Sequence, residues 1–327
     1  MGVISRRVAI GGILAAAPAI AGTAWGQPPV AGSGADMTAV GSDGASVVLD
    51  AWTDTYGRPT TSVFINGRGP FSFLVDTGST VTVLSERVAL AVGARVGGTF
   101  TIAGATGSAV RPYADIERLT AGVASRSNLK VAIIEDPRLS RGDGILGADL
   151  FVGKRLIFAI RDKTVRIEPS RRLLVDDQRQ NLRLRQGVLA EVEGSVGKVG
   201  TRLILDTGAD YCVGNPALGE ALLRTHPRLR RVPRARIAGV TGHEVVGEFV
   251  YLPRVDARAF SVQDSGAIIA DASIFKLWEL ESLPAMIVGV DLLSRLASFT
   301  IDYGARVFDA QLADAGDLIA RNQAALG

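Results

Sequence analysis

Cysteine is almost absent from this chain. Its 327 residues include one, Cys212, so no intramolecular disulfide can form. The two histidines, His226 and His243, lack metal-ligand spacing, and without a Cys/His cluster there is no structural zinc site. Nucleophilic catalysis by Cys212 would need a positioned base, so a small buried core residue is the plainer reading. Aromatics are scarce, at 6%. An excess of one charge is also missing. The formal net charge is +3, and two of the positive charges, Arg6 and Arg7, lie in a segment read below as a leader. A balance this close to neutral gives no footprint for nucleic acid or a membrane surface. Beyond the N-terminus no stretch is long and apolar enough to span a bilayer.

What the chain does have is a 47% apolar composition and 38 glycines. That suits many short strands and turns, in one large domain or two ordinary ones. Residues 1–26 read as a signal peptide: a charged start, a modest apolar run to about Ala24, and small residues before Gln27-Pro28-Pro29. Ser5-Arg6-Arg7 resembles a twin-arginine export signal, although Ala9 stands where a larger apolar residue is usual. The expectation is a periplasmic or secreted protein with no stable membrane insertion once the signal is removed. The competing reading is an uncleaved anchor, which Gly11, Gly12, Pro18 and Gly22 oppose by interrupting the run. Residues 27–46 have the Gly/Pro-rich composition of a flexible linker.

After that the sequence says the same thing twice. Phe73-Leu74-Val75-Asp76-Thr77-Gly78-Ser79 returns as Leu203-Ile204-Leu205-Asp206-Thr207-Gly208-Ala209, displaced by 130. Gly104-Ala105-Thr106-Gly107 returns as Gly239-Val240-Thr241-Gly242, displaced by 135. Ile145-Leu146-Gly147-Ala148-Asp149-Leu150 returns as Ile287-Val288-Gly289-Val290-Asp291-Leu292, displaced by 142, and apolar pairs starting at Phe158 and Phe299 close each copy. Shared order and spacing imply a duplicated domain. The predicted division is an N-terminal lobe at 47–168, a charged inter-lobe linker at 169–185, a C-terminal lobe at 186–310 and a tail at 311–327. Local signals are mostly β. Ser62 to Ile65, Asn66-Gly67 and Phe71 to Val75 read as a hairpin feeding the first Asp-Thr-Gly, and Val188 to Leu205 repeats it. Ser85 and Asn215-Pro216 are predicted to start short helices, and Gly93 to stop the first.

Two matched carboxylates suggest a particular chemistry. Hydrolysing an amide without a metal or covalent intermediate requires a base for water and an acid for the leaving nitrogen. Two close carboxylates supply both, because they do not readily ionise together and so share a proton. Gly78 and Gly208 let the backbone turn tightly and bring N–H groups to the carboxylates.

An apolar strand entering Asp-Thr-Gly-Ser/Ala, with an apolar-apolar-Gly segment about 70 to 80 residues on, resembles the aspartic peptidases, both pepsin-like and retroviral-like. The resemblance covers about residues 47–310. It implies a mostly β, bilobal fold with Asp76 and Asp206 as the catalytic pair and a peptide or protein as substrate. It implies no cofactor. It also implies that Thr77 and Thr207 cross-link the two loops and that Gly147 and Gly289 pack beneath them. The tips Gly104, Thr106, Gly107 and Gly239, Thr241, Gly242 take the place of flaps over a bound peptide, one per copy as in the retroviral-like branch; neither carries the tyrosine of the pepsin-like pattern. In the family pattern a hydroxyl at Ser79 can bond the outer oxygen of Asp76, whereas Ala209 has none to offer. The expectation is that Asp206 carries the shared proton. With both halves of the pair in one chain, a monomer is favoured.

Asp149 and Asp291 also repeat, but follow a buried strand where Asp caps a helix or pairs with Arg. Gly142 to Gly147 formally matches a dinucleotide fingerprint without βαβ context, and Ser273 to Lys276 matches Ser-x-x-Lys without its companion motifs. The alternative function is an inactive periplasmic protein of the same fold that binds peptides.

Overall fold

A computed structural model of the chain describes residues 58–135, 142–171 and 179–312, together with the backbone of short strands at Arg7–Ala9, Leu14–Ala16, Val47–Asp50 and Trp52–Thr53. The leader and first-linker assignments otherwise lie outside the described residues, as does the tail beyond Leu312. The fold is mostly β and bilobal.

The predicted hairpins form where the turn chemistry places them. Pro59–Ile65 pairs antiparallel with Arg68–Asp76, and Asn66 and Gly67 both take positive φ at the turn. That left-handed pair matches the twist of the strands, which is why Asn-Gly recurs there. Leu189–Val196 and Val199–Leu205 repeat the arrangement, turning at Gly197 with φ +57°. Gly194 lies inside its strand rather than at the turn, where the backbone of Asp256 approaches too closely for a side chain. Ser85 Oγ accepts from Val88 N at 3.3 Å to cap Glu86–Ala91, and Gly93 follows with φ +63°. Asn215 Oδ1 accepts from Leu218 N at 2.9 Å, with Pro216 opening Pro216–Thr225.

Each lobe is built around one sheet, and the two sheets run through the same succession. In the first, Arg95–Gly104, Gly107–Ala121, Ala124–Ile134, Val83–Ser85, Gly144–Gly147, Arg68–Asp76 and Pro59–Ile65 follow one another. In the second the order is Arg231–Ala238, Glu244–Tyr251, Gly266–Ile269, Val213–Gly214, Ala285–Val288, Val199–Leu205 and Leu189–Val196. Residues alternate between two buried faces. Phe73, Val75, Leu203 and Leu205 join a core continuous across both lobes, whereas Leu74 and Ile204 join separate apolar clusters on the opposite faces.

A third, six-stranded sheet ties the lobes together. Lys154–Ala159 pairs with Leu296–Asp302, setting Phe158 opposite Phe299 with stacked rings 4.5 Å apart. The two closing apolar segments of the sequence thus meet each other. Gln180–Asn181, within the segment read as a linker, adds to the sheet's edge by pairing with Val307–Leu312. Among the described residues no helix is long and apolar enough to cross a membrane.

Candidate active site

Asp76 ends the strand Arg68–Asp76 and Asp206 immediately follows Val199–Leu205. A neighbouring parallel strand supports each end: Gly147 sits opposite Asp76, and Asp206 N donates to Val288 O at 3.0 Å. Both carboxylates are fully buried. The two loops face each other so closely that each glycine makes room for the other loop's acid. A methyl on Gly78 would land on the carboxyl of Asp206, and one on Gly208 on that of Asp76.

The threonines bind the loops together. Thr77 Oγ1 donates to Leu205 O at 2.7 Å and accepts from Thr207 N at 3.1 Å. Thr207 Oγ1 donates to Val75 O at 2.6 Å and accepts from Thr77 N at 3.2 Å. Beneath the loops, Gly147 abuts the carbonyl of Val81 and Gly289 that of Tyr211, leaving no space for a Cβ.

Within this frame the carboxylates differ. Asp76 Oδ1 accepts one N–H, from Gly78 at 2.9 Å. Asp206 Oδ1 accepts two, from Gly208 at 2.8 Å and Ala209 at 3.1 Å. Neither Oδ2 receives a donor from outside the pair among the described residues. Burial pushes Asp76 well above the ordinary carboxylate range, and the neighbouring charge of Asp206 adds to it. Burial also raises Asp206, but the N–H of Gly208, a bond with Asp76 and the N–H of Ala209 hold it to about 6. Asp206 is therefore the better home for the negative charge and Asp76 for the shared proton.

The sequence alone suggests the opposite placement of the shared proton. The Ser79 hydroxyl spends its proton on Val81 O at 2.7 Å instead of on Asp76. Its backbone N–H lies 3.4 Å from the carbonyl of Asp76, whereas the equivalent N–H of Ala209 reaches its carboxylate.

Arg58 escaped the sequence reading. It is 2% exposed, its Nε lies 3.3 Å from Asp210 Oδ1, and its Nη1 donates to Gly208 O at 3.2 Å. A cation from the first lobe is thus fixed beneath the second lobe's loop, where it favours ionisation of both Asp76 and Asp206. No repeat flagged it, because Val188 stands 130 residues later and Thr80 is the counterpart of Asp210. The available signal was an Asp two residues beyond Gly208, at a position too buried to lack a partner. Tyr303 is a second omission: its buried phenol is raised by desolvation and then by the charges of Asp76 and Asp206.

Both predicted tips are hairpin tips. Gly104 pairs with Gly107 at the end of the first, and Gly239 N donates to His243 O at 3.1 Å in the second. They meet: Thr106 Oγ1 donates to His243 O at 2.8 Å. Each also inserts an apolar residue into the other lobe. Val240 joins the cluster of Leu74, Val83, Ile102 and Ile145, while Ala103 and Ala105 join that of Ile204, Val213 and Ile287. Gly242 has φ +88° and its Cβ position is open, so the glycine there serves the turn. Thr241 Oγ1 lies 3.2 Å from His243 Nδ1.

The remaining repeated acids are structural in their contacts. Asp149 accepts from Thr82 Oγ1 at 3.1 Å and lies 3.7 Å from Arg126. Asp291 accepts from Leu292 N at 2.9 Å and from Cys212 Sγ at 3.2 Å, and burial raises it to about 6. Cys212 is fully buried, and burial pushes its thiol up, so little thiolate is present. Gly144–Gly147 is a paired strand with Phe73 packed against Gly144, not a phosphate-binding turn. Among the described residues no three His, Cys, Asp or Glu side chains gather as they would around a metal ion.

Residues 61–150 match the family model described as aspartyl protease. That span takes in the Asp76 loop, the tip at 104–107 and the supporting strand at Gly147. No curated protein matches the chain.

Proposed function

We propose, for a chain whose first lobe matches the aspartyl proteases and supports its assignment to the retroviral-like aspartic peptidase superfamily, that it is an endopeptidase built from two duplicated lobes, each donating one Asp. The observation that carries this reading is the pair of buried carboxylates: each Oδ1 is held by its own loop, and each Oδ2 lacks a donor from outside the pair among the described residues. Those oxygens are the ones free to hold a shared proton and a water.

Asp206, the more readily ionised, takes a proton from that water as its oxygen attacks the peptide carbonyl carbon. Asp76 gives its proton to the carbonyl oxygen, producing a neutral tetrahedral diol. Asp206 then passes its proton to the leaving nitrogen while Asp76 recovers one from a diol hydroxyl, and the C–N bond breaks. Cofactor and metal have no part in these steps. The crossed threonine bonds keep the carboxylates in register, which is positioning rather than chemistry.

The test is cleavage of a diverse peptide library by the wild type, Asp76→Asn and Asp206→Asn. Each variant should lose essentially all turnover while unfolding at a temperature no lower than the wild type's. Near-wild-type turnover in either one removes that Asp from the pair. For the active protein, the acidic limb of kcat/KM should fall near the value of about 6 given for Asp206, because protonating it removes the base. Binding of peptides by all three proteins with cleavage by none would mark a peptide-binding protein instead.

A further inference from the structure

We propose that an aromatic shelf on the second lobe, formed by Tyr211, Phe249 and Tyr251, takes a large apolar or aromatic side chain of the substrate. In doing so it fixes the direction in which a peptide lies across the two acids. This deepens the peptidase reading and rests on it.

Strand register places the shelf. Ile204 stands two residues before Asp206, so the two side chains point to the same side of the chain. From Ile204 the pairings run straight across the sheet through Ile287, Val213 and Ile268 to Phe249. The first four join the apolar cluster that receives Ala105 of the first lobe's tip, and Phe249 packs against it. This face therefore lies beside the acids and under the tip, where an extended peptide has to pass. Four strand spacings of about 4.8 Å separate Ile204 from Phe249, which is at most about 19 Å, or roughly five to six extended residues.

The neighbouring row completes it. Two residues earlier along the parallel strands the register sets Tyr211 beside Gly266, and Gly266 lies opposite Tyr251. With no side chain at Gly266, the Phe249 ring lies over it; a methyl there would strike that ring. Tyr211 packs against the same apolar cluster as Phe249. Tyr251 meets Phe249 edge to face with ring centres 5.2 Å apart, and the Arg230 guanidinium stands over the Tyr251 ring at 4.4 Å. Tyr211 and Phe249 are half-buried and Tyr251 is 41% exposed, so ring surface is open to a ligand. Rings held this way offer a large apolar contact and favour an aromatic guest in offset or edge-to-face geometry.

The first lobe offers no equivalent. Its row runs from Leu74 through Ile145, Val83 and Ala132 to Tyr113. In the next row Val81 holds the place of Tyr211, Lys130 that of Gly266 and Asp115 that of Tyr251. Lys130 covers the ring: its Nζ bonds Asp115 Oδ1 at 2.9 Å and stands 4.4 Å from the centre of Tyr113. One end of the channel is thus aromatic and open, and the other is capped by an ion pair. Two acids related by an approximate two-fold could accept a peptide in either direction, and unequal ends select one.

The experiment uses the full chain and sequences the products cut from a diverse peptide library. Large apolar or aromatic residues should be enriched at one position within about six residues of the cleaved bond, on one side only. Matched peptides with Phe or Gly at that position are then compared on the wild type, Tyr211→Val and Phe249→Val, with unfolding temperatures to show that each variant folds. The ratio of kcat/KM for the Phe peptide over the Gly peptide should fall about tenfold in each variant. The fall should come through KM and not kcat, because a contact this far from the reacting bond is the same in the ground and transition states. Tyr251→Ser, at an exposed position, supplies the same comparison should either buried variant not fold. An unchanged ratio in folded variants, or an aromatic preference equal on both sides of the cleaved bond, overturns the shelf. If no form cleaves any peptide, the peptidase reading fails, and binding then decides the shelf: the Phe peptide should bind the wild type more tightly than the Gly peptide, and Tyr211→Val should abolish that difference. Equal binding of the two peptides by the wild type overturns it.

Discussion

Thr207→Val isolates the bonds that hold the two loops together. The substitution keeps the shape and volume of the side chain, so it opens no significant cavity. It removes a hydroxyl that donates to Val75 O at 2.6 Å and accepts from Thr77 N at 3.2 Å. Thr207 is 1% exposed and Thr77 fully buried, so water does not readily replace either bond. A buried polar group stripped of its partner costs about 1–3 kcal/mol, and two such groups give about 2–6 kcal/mol. For lobes of this size that lowers the unfolding temperature by on the order of 10 °C. Calorimetry supplies the first measurement and peptide cleavage the second, because loosened loops let the carboxylates drift apart. Thr207→Ser keeps the hydroxyl and should cost only about 1 kcal/mol for the lost methyl group. Thr77→Val with Thr207→Val should cost less than the sum of the singles, since the hydroxyls share a 3.5 Å contact and either change already loosens the junction that the other holds. A Thr207→Val protein that unfolds at the wild-type temperature and cleaves at the wild-type rate would refute the cross-link as an energetic element.

Ser79→Ala should leave the acidic limb of kcat/KM where it is and cost about 1 kcal/mol of stability, because its hydroxyl bonds Val81 O and not the dyad. An upward move of that limb would restore the asymmetry that the sequence suggests. Asp291→Asn should change how stability depends on pH. A carboxylate raised from 3.8 to about 6 makes the folded protein bind more protons than the unfolded chain between those values, so stability falls as pH rises through them. The asparagine variant should lack up to about 3 kcal/mol of that fall, leaving the dyad's share, as followed by urea unfolding from pH 4 to 7. An unchanged pH slope would mean Asp291 is not desolvated. Replacing Arg6 and Arg7 with Lys should leave unprocessed chain in the cytoplasm, read by fractionation; normal processing would point to general secretion.

The sequence by itself determined what depends on neighbours in the chain or on its own repetition. Asn66-Gly67 makes a tight left-handed turn because few other pairs can, and Ser85 and Asn215 cap helices through bonds three residues long. The repeated Asp-Thr-Gly draws attention to Asp76 and Asp206 as a pair, and the fold sets their two loops against each other. Asp149 and Asp291 read as structural from their place after buried strands, and Cys212 from the want of a positioned base; their contacts agree.

Tertiary structure decided what depends on angles and on distant partners. Ser79 and Ala209 suggest a hydroxyl effect on paper, yet a small difference in loop geometry sends one N–H to a carbonyl and the other to a carboxylate. Arg58 and Asp210 are far apart in sequence and unmatched between copies, so repetition says nothing of a pair that forms only when one lobe packs beneath the other's loop. The exchange of Val240 and Ala105 between lobes likewise needs both hairpins folded over at once. Local propensity and repetition are written along the chain. The balance of charge in a dry site is set by which groups the fold brings within a few ångströms, and that is settled only in three dimensions.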